Sequence, residues 1–579
     1  MYCLGYGGDI FMSMKRMIQA AHGDIPADVI FRNAKLLNVL SAEILPGSVA
    51  VFNGKVIGFG EYEAVHEIDL GGRYLLPGFI DGHVHLESSM LSPAEFAREI
   101  LPVGTTAVII DPHEIVNVMG ERGLEYILDS TWNLPLDVYV MLSSCVPATH
   151  LETSGAEFTA EQMRKWIMHP RILGIGEMMN FPGVIHADPQ VLEKITTAAG
   201  KIIDGHAPLV SGKDLAAYVS AGISSDHECS QIEEAREKLR NGMFIMIREG
   251  SAARNLATIL PLVNVQNSRF FGFVTDDRHP DFLLEHGHIN SMIRTAIGAG
   301  IDPITAVQMA TINTARYFRL PGVGAVAPGY KADFAIVDNL DNFRVVQVFK
   351  NGKMVAQDGE LIIASRADTQ NITNTVNIGD FSINHLKVPS TGGNMRVIEI
   401  VPNQIITQKT ICPVAIVDGE AVSDPASDLL KMVVVERHRA TGNVGIGFVR
   451  GFGIQTGALA STVAHDSHNL IAIGATDKDI LAAIRAVKEM QGGQVVIRDG
   501  QVLAGLALPI AGLMSDQPLG IVKQAGDRLV GAARTLGCRL ANPFMTLSFL
   551  ALPVIPALKL TDKGLVDVER FEIVPLFCD

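Results

Sequence analysis

The chain has little of several things. Its six cysteines (Cys3, Cys145, Cys229, Cys412, Cys538, Cys578) form no C-x-x-C pair and no framework spacing. That excludes a disulfide scaffold and a cysteine-built zinc site, and reads as a reducing compartment. It also has no basic excess: 47 Lys+Arg against 62 Asp+Glu leave a net charge of −15 and a pI near 5.6. An acidic balance argues against nucleic acid or an anionic membrane surface as partner. No apolar run reaches the roughly 20 residues of a bilayer span. The longest, Met545 to Leu558, is broken by Pro553 and Pro556. Met1 to Phe11 lacks a basic n-region and carries Asp9, unlike a secretory signal. Neither a P-loop nor a credible Gly-x-Gly-x-x-Gly after a strand appears, so a nucleotide cradle finds no support. With 48% hydrophobic and 19% charged residues over 579 positions, a soluble, cytoplasmic protein of two to four domains is expected.

Two hairpin signals stand far apart. Ser48 to Gly58 alternates around Asn53-Gly54, and Val346 to Val355 alternates around Asn351-Gly352. Asn-Gly between alternating runs favours a type I′ turn. Two matching hairpins suggest one small β domain, read as a β-sandwich, assembled from both flanks of a central domain.

Between those flanks, short apolar runs end in polar, chemically capable residues, with helix-like stretches between. The eight runs end at Phe79-Ile80, Val108 to Ile110, Val140 to Leu142, Leu173 to Glu177, Ile202 to His206, Ile223 to His227, Met243 to Glu249 and Phe271 to Asp276. Eight βα units predict a (β/α)8 TIM-type barrel, whose active sites lie at the C-terminal strand ends. A doubly wound sheet, the competitor, would not need polar ends on nearly every strand. The fold class is therefore α/β, with the barrel at 76–320 and the β domain at 1–75 and 321–367. A polar, Thr- and Asn-rich linker runs from Asp368 to Asn384, and an α/β region occupies 385–579. That region includes an Asp499-Gly500 hairpin and a helix from Asp477 to Met490.

The candidate chemistry follows the runs. His83 and His85 are two apart, so both imidazoles can reach one ion. Glu177, His206, His227 and Asp276 stand on other strand ends. Four histidines and two carboxylates can build a two-metal site with one carboxylate free to bridge, and the ligand set alone does not separate Zn, Mn and Fe. Two cations would bring a bound water from a pKa of about 16 toward 7, giving hydroxide to attack a trigonal carbon. Asp276 is placed to take the proton and pass it to the leaving group.

Leu76-Pro-Gly-Phe-Ile-Asp-Gly-His-Val-His85 and Ala327-Pro-Gly-Tyr-Lys-Ala-Asp-Phe-Ala-Ile-Val-Asp338 resemble signatures of the amidohydrolase superfamily. Longer segments resemble its bacterial adenine deaminase family: His85 to Met90, Asp111 to Gly120, Ile247 to Leu256, Thr275 to Arg278, His465 to Asn469 and Pro509 to Met514. The resemblance implies hydrolytic deamination of adenine to hypoxanthine and ammonia in purine salvage, by a metal-activated hydroxide attacking C6. It implies His83 and His85 on one metal, His206 and His227 on the other, Glu177 bridging, and Asp276 as ligand and proton shuttle in preference to Asp277. It also implies manganese or iron, with zinc an alternative, and a homo-oligomer, a dimer first.

Further residues have two readings. Glu87, Asp111, His113 and Glu114 are candidates for substrate or an accessory metal, or belong to a structural Asp-Pro turn. Arg248, Glu249 and Ser251 could contact a purine or hold a loop by an ion pair. His465, Asp466, His468 and Asn469 could form a site or a capped turn, and the first reading has this loop covering the barrel mouth. Three rival readings compete with this one. A cyclic-amide hydrolase would usually carry a carboxylated lysine where Glu177 stands. The His-x-Glu/Pro-Cys-x-x-Cys deaminases fail for want of the second motif. A catalytically silent scaffold predicts a missing ligand, and none is missing.

Overall fold

The computed structural model describes residues 6–251, 253–363, 372–402 and 404–578, with side chains from residue 11 onward. Strands β1 (Ala27–Asn38), β2 (Glu43–Phe52), β3 (Lys55–Phe59), β4 (Ala64–Asp69) and β5 (Tyr74–Pro77) open the chain. Eight parallel strands follow: β6 (Phe79–Val84), β7 (Thr105–Ile110), β8 (Asp137–Leu142), β9 (Ile172–Met178), β10 (Ile202–Gly205), β11 (Ser225–Asp226), β12 (Phe244–Arg248) and β13 (Phe271–Val274). Then come β14 (Phe334–Val337), β15 (Val345–Lys350), β16 (Lys353–Gln357) and β17 (Glu360–Leu361).

The two flanks share one nine-stranded sheet, in the order β17-β16-β15-β14-β5-β1-β2-β3 with β4 beside β1. Both Asn-Gly pairs turn hairpins with positive φ at each residue (49° and 72°; 50° and 76°), as a type I′ turn requires. The turns meet: a Cβ on Gly54 would lie 3.0 Å from that of Asn351. Phe31 packs edge-on against Phe334 and Phe349, which ties the flanks through one core.

β6 to β10 form one parallel sheet and β11 to β13 another, together a curled parallel array. Ser224 N–H donates to Ile203 O (3.1 Å) at one seam, and Asp276 N–H donates to His83 O (2.9 Å) at the other. The period-2 alternation of a strand divides its side chains. Ala107, Ile109, Phe244, Met246 and Val274 face an inner cluster, while Val108, Ile110, Ile245 and Ile247 join the larger core. Caps start the connecting helices where the sequence changes: Ser92 accepts from Glu95 N–H, and Thr159 forms a capping box with Gln162.

The C-terminal region centres on a second nine-stranded sheet, mostly antiparallel, with eight strands from Asn394–Ile400 to Gln501–Ala507 and a ninth, Phe577–Cys578, beside the first. The helix Asp477–Glu489 packs on it, and Asp499-Gly500 turns its last hairpin. The predicted linker differs in part. Residues 368–371 lie outside the described residues, but Val376 and Ile378 are buried on this sheet and Asn377 N–H donates to Arg437 O (2.7 Å). Spaced apolar residues within the Thr/Asn-rich stretch reach the core, and Arg437 takes up its polar backbone at Thr375. Among the described residues no helix is long and apolar enough to cross a membrane.

Candidate active site

β6 runs four residues past Ile80, so His83 lies in the strand and His85 just beyond it, both buried. Their Nε2 atoms are 3.2 Å apart. His85 Nδ1 is 2.9 Å from the Asp111 carbonyl, which only a protonated Nδ1 can satisfy. The lone pair of neutral His85 is therefore on Nε2, directed at Asp276 Oδ1 (3.0 Å) and Glu177 Oε1 (3.3 Å). A ligating histidine is oriented in this way by its other nitrogen.

Glu177, near the end of β9, stands between imidazoles. Oε1 lies 3.3 Å from both His85 Nε2 and His113 Nδ1. Oε2 lies 2.7 Å from His206 Nδ1 and 3.2 Å from His227 Nε2. Burial raises its affinity for a proton. The charge of His206, its hydrogen bond and the close imidazoles of His113 and His227 outweigh that and hold it well below the carboxylate range. Burial, with His227 and His85 beside it, holds His83 well below the imidazole range. Asp276 has a left-handed backbone (φ 56°), which Asp tolerates better than most residues. Despite burial, Arg248 and His85 hold its carboxyl well below its ordinary value.

Several sets of three donors converge within 4.8 Å, among them His83-His85-Asp276, His83-Glu177-His227, His85-His113-Glu177 and His206-His227-Glu228. Both ring nitrogens of His227 and Nδ1 of His113 are buried without a hydrogen-bond partner among the described residues. Buried polar atoms are ordinarily satisfied. Unpartnered imidazole nitrogens facing carboxylates fit divalent cations of the Zn, Mn or Fe type.

The remaining candidates divide. Asp111 is buried behind Glu177: Oδ2 accepts Glu177 N–H (3.1 Å) and Oδ1 accepts from Ser143 Oγ (2.7 Å). A Cβ on Gly176 would lie 1.9 Å from Asp111 Oδ2, so this approach requires glycine. Arg248 reaches the centre, with Nη1 2.6 Å from Asp276 Oδ2 and its guanidinium on Glu228. Glu249 and Ser251 do not. Glu249 is partly exposed with Arg254 3.9 Å away, and Ser251 Oγ accepts His279 N–H (2.8 Å), which holds the loop. Glu87 Oε1 accepts Ile115 N–H (3.1 Å), and burial with Glu114 nearby pushes its carboxyl up to about 7. Glu114 meets the C-terminal loop at His465 and His468, and Asp466 Oδ1 lies 4.0 Å from His113 Nε2. Glu228 escaped the sequence reading because it follows His227 in a polar loop. No local signal points to it, because Arg248, the buried charge that it pairs with, lies 20 residues further along the chain.

The chain is similar to known proteins over nearly its full length. Residues 74–355 match the amidohydrolase family and residues 404–572 match the adenine deaminase C-terminal domain. Adenine deaminase 2 of Carboxydothermus hydrogenoformans is 49% identical over 97% of this chain and 99% of its own. The adenine deaminase of Oleidesulfovibrio alaskensis is 51% identical over 98% and 99%. Among solved structures, L-hydantoinase from Arthrobacter aurescens is 18% identical, with a TM-score of 0.43 over 58% of this chain and 98% of its own. Amidohydrolase family members are metal-dependent, as the donor clusters here would require. The chain belongs to the adenine deaminase family of the amidohydrolases.

Proposed function

We propose that the cluster at the strand ends carries out hydrolytic deamination of adenine to hypoxanthine and ammonia. One observation carries the reading: the two oxygens of Glu177 face separate pairs of histidines, as a carboxylate shared by two cations would. His83, His85 and Asp276 would hold one divalent cation and His206 and His227 the other, with Glu177 between them. Manganese or iron is the first choice and zinc the alternative. When bound, such cations acidify a water toward neutral pH.

The residues of the chain do the rest. Arg248 fixes Asp276 by Oδ2, which leaves Oδ1 to take a proton from the water and deliver it to the departing amine. The water oxygen bonds to C6 and the C6–N6 bond breaks. One proton leaves with ammonia and the other stays on the hypoxanthine ring. Asp111 aligns Glu177 and His85 from behind.

We read the two parallel sheets as one closed (β/α)8 barrel, supported by hydrogen bonds at both seams. The division is 1–75 and 321–367 for a β-sandwich domain, 76–320 for the barrel and 385–579 for the C-terminal domain. A cytoplasmic homodimer serving purine salvage completes the proposal. The test is ammonia release from adenine by protein loaded with Mn²⁺, beside H83A and D276N. Turnover that both variants abolish is expected. No turnover by folded, metal-loaded protein would overturn the reading.

A further inference from the structure

A second group of buried side chains lies where the strand-end loops meet the C-terminal region. Glu114 follows β7, and His465 and His468 come from one loop more than three hundred residues later. All three are almost fully buried. His465 Nδ1 lies 3.4 Å from Glu114 Oε1, and His468 Nε2 lies 3.9 Å from Glu114 Oε2. The second distance is too long for a hydrogen bond, and among the described residues His468 Nε2 has no partner.

The tautomer of His468 follows from its other nitrogen. Ala464 N–H donates to Nδ1 (3.2 Å), so Nδ1 carries the lone pair and the neutral ring keeps its proton on Nε2. A protonated Nε2 cannot ligate a cation but can donate. Beside it, Glu114 can accept, and Ser88 Oγ (3.1 Å) takes only part of that capacity. The result is a donor and an acceptor next to each other, the donor lacking any partner.

A cleft leads here. It holds about 110 Å³ between the helices Leu519–Thr535 and Pro543–Phe549 and the loop after β13, and His465 and Met90 line it. Val522, Leu529 and Phe544 give it apolar walls suited to a flat aromatic ring. The edge of adenine away from C6 offers N3, an acceptor, and N9–H, a donor, with one carbon between.

We infer that Glu114 and His468 clamp this edge: the carboxylate takes N9–H, His468 Nε2–H donates to N3, and His465 braces Glu114 from the cleft side. This deepens the adenine reading and rests on it. It predicts a free-base enzyme, because an alkyl or ribosyl group at N9 removes the donor and sets carbon against the carboxylate.

The test compares adenine with 9-methyladenine by kcat/KM, and hypoxanthine with 9-methylhypoxanthine by calorimetry, on full-length, Mn²⁺-loaded protein. A site built around a hydrogen bond should prefer adenine by about 10⁴-fold. E114A should lose adenine chiefly through KM and shrink that preference to about tenfold or less, with E114Q between and bound metal unchanged in both. Equal wild-type binding of hypoxanthine and its 9-methyl derivative, which needs no variant, would overturn the clamp. So would an undiminished preference in E114A, or loss of a metal equivalent in E114Q. In each case adenine turnover by the wild type would leave the parent reading standing.

Discussion

Two neighbouring clusters of imidazole and carboxylate use the same residue types in different ways. Around Glu177, carboxylate oxygens stand 2.7–3.3 Å from four imidazole nitrogens, several without hydrogen bonds, and His85 presents a lone pair inward. Around Glu114 the separations open to 3.4–3.9 Å, and His468 presents a proton. Backbone groups make this difference: a carbonyl on His85 Nδ1 in one case, an N–H on His468 Nδ1 in the other. A residue count would call both clusters metal sites, and only the partner of the second nitrogen separates them.

The largest effect should come from within the first cluster. Asp276→Asn removes a proton carrier, and kcat should fall about 10²- to 10⁴-fold, measured by ammonia release at saturating adenine. Arg248→Met removes the brace on Asp276 and Glu228. A fall of about 10- to 100-fold in activity or metal affinity is expected, read by metal titration as well as turnover.

A smaller effect tests the packing behind Glu177. Gly176→Ala forces a methyl group onto Asp111 Oδ2 and should cost about 1–3 kcal/mol by chemical denaturation, with weaker metal binding.

The smallest effect contrasts buried cations in the two halves of the chain. Arg248 is neutralised by carboxylates, whereas Lys559 is fully buried and, among the described residues, donates to the carbonyls of Ile405 and Phe549 alone, and burial lowers its amine to about 7. Between pH 7 and the ordinary lysine value the unfolded chain holds a proton that the folded chain has released. This group's contribution to stability therefore rises with pH across that window, by at most about 1.4 kcal/mol per pH unit, and is least favourable below 7. Denaturation midpoints from pH 7 to 9 should lose that component in Lys559→Met.

What could be read in the sequence was local. Asn53-Gly54 and Asn351-Gly352 announce their hairpins because two φ values above zero leave few other residues. Apolar runs ending in His83, Glu177, His206, His227 and Asp276 announce the strand ends because a parallel strand buried on both faces is apolar until it emerges. What depends on distant segments was not legible. Nothing near Glu114 points to His465, and nothing near Arg248 points to Glu228. The Thr/Asn-rich stretch hid Val376 and Ile378, whose burial depends on a sheet formed later in the chain.

The most direct measurement counts tightly bound metal per chain by elemental mass spectrometry, after Mn²⁺ loading and desalting. Two equivalents are expected in the wild type, two in a His465→Ala/His468→Ala variant, and one in His206→Ala/His227→Ala. Three in the wild type, or a loss on changing His465 and His468, would contradict the division of labour between the clusters.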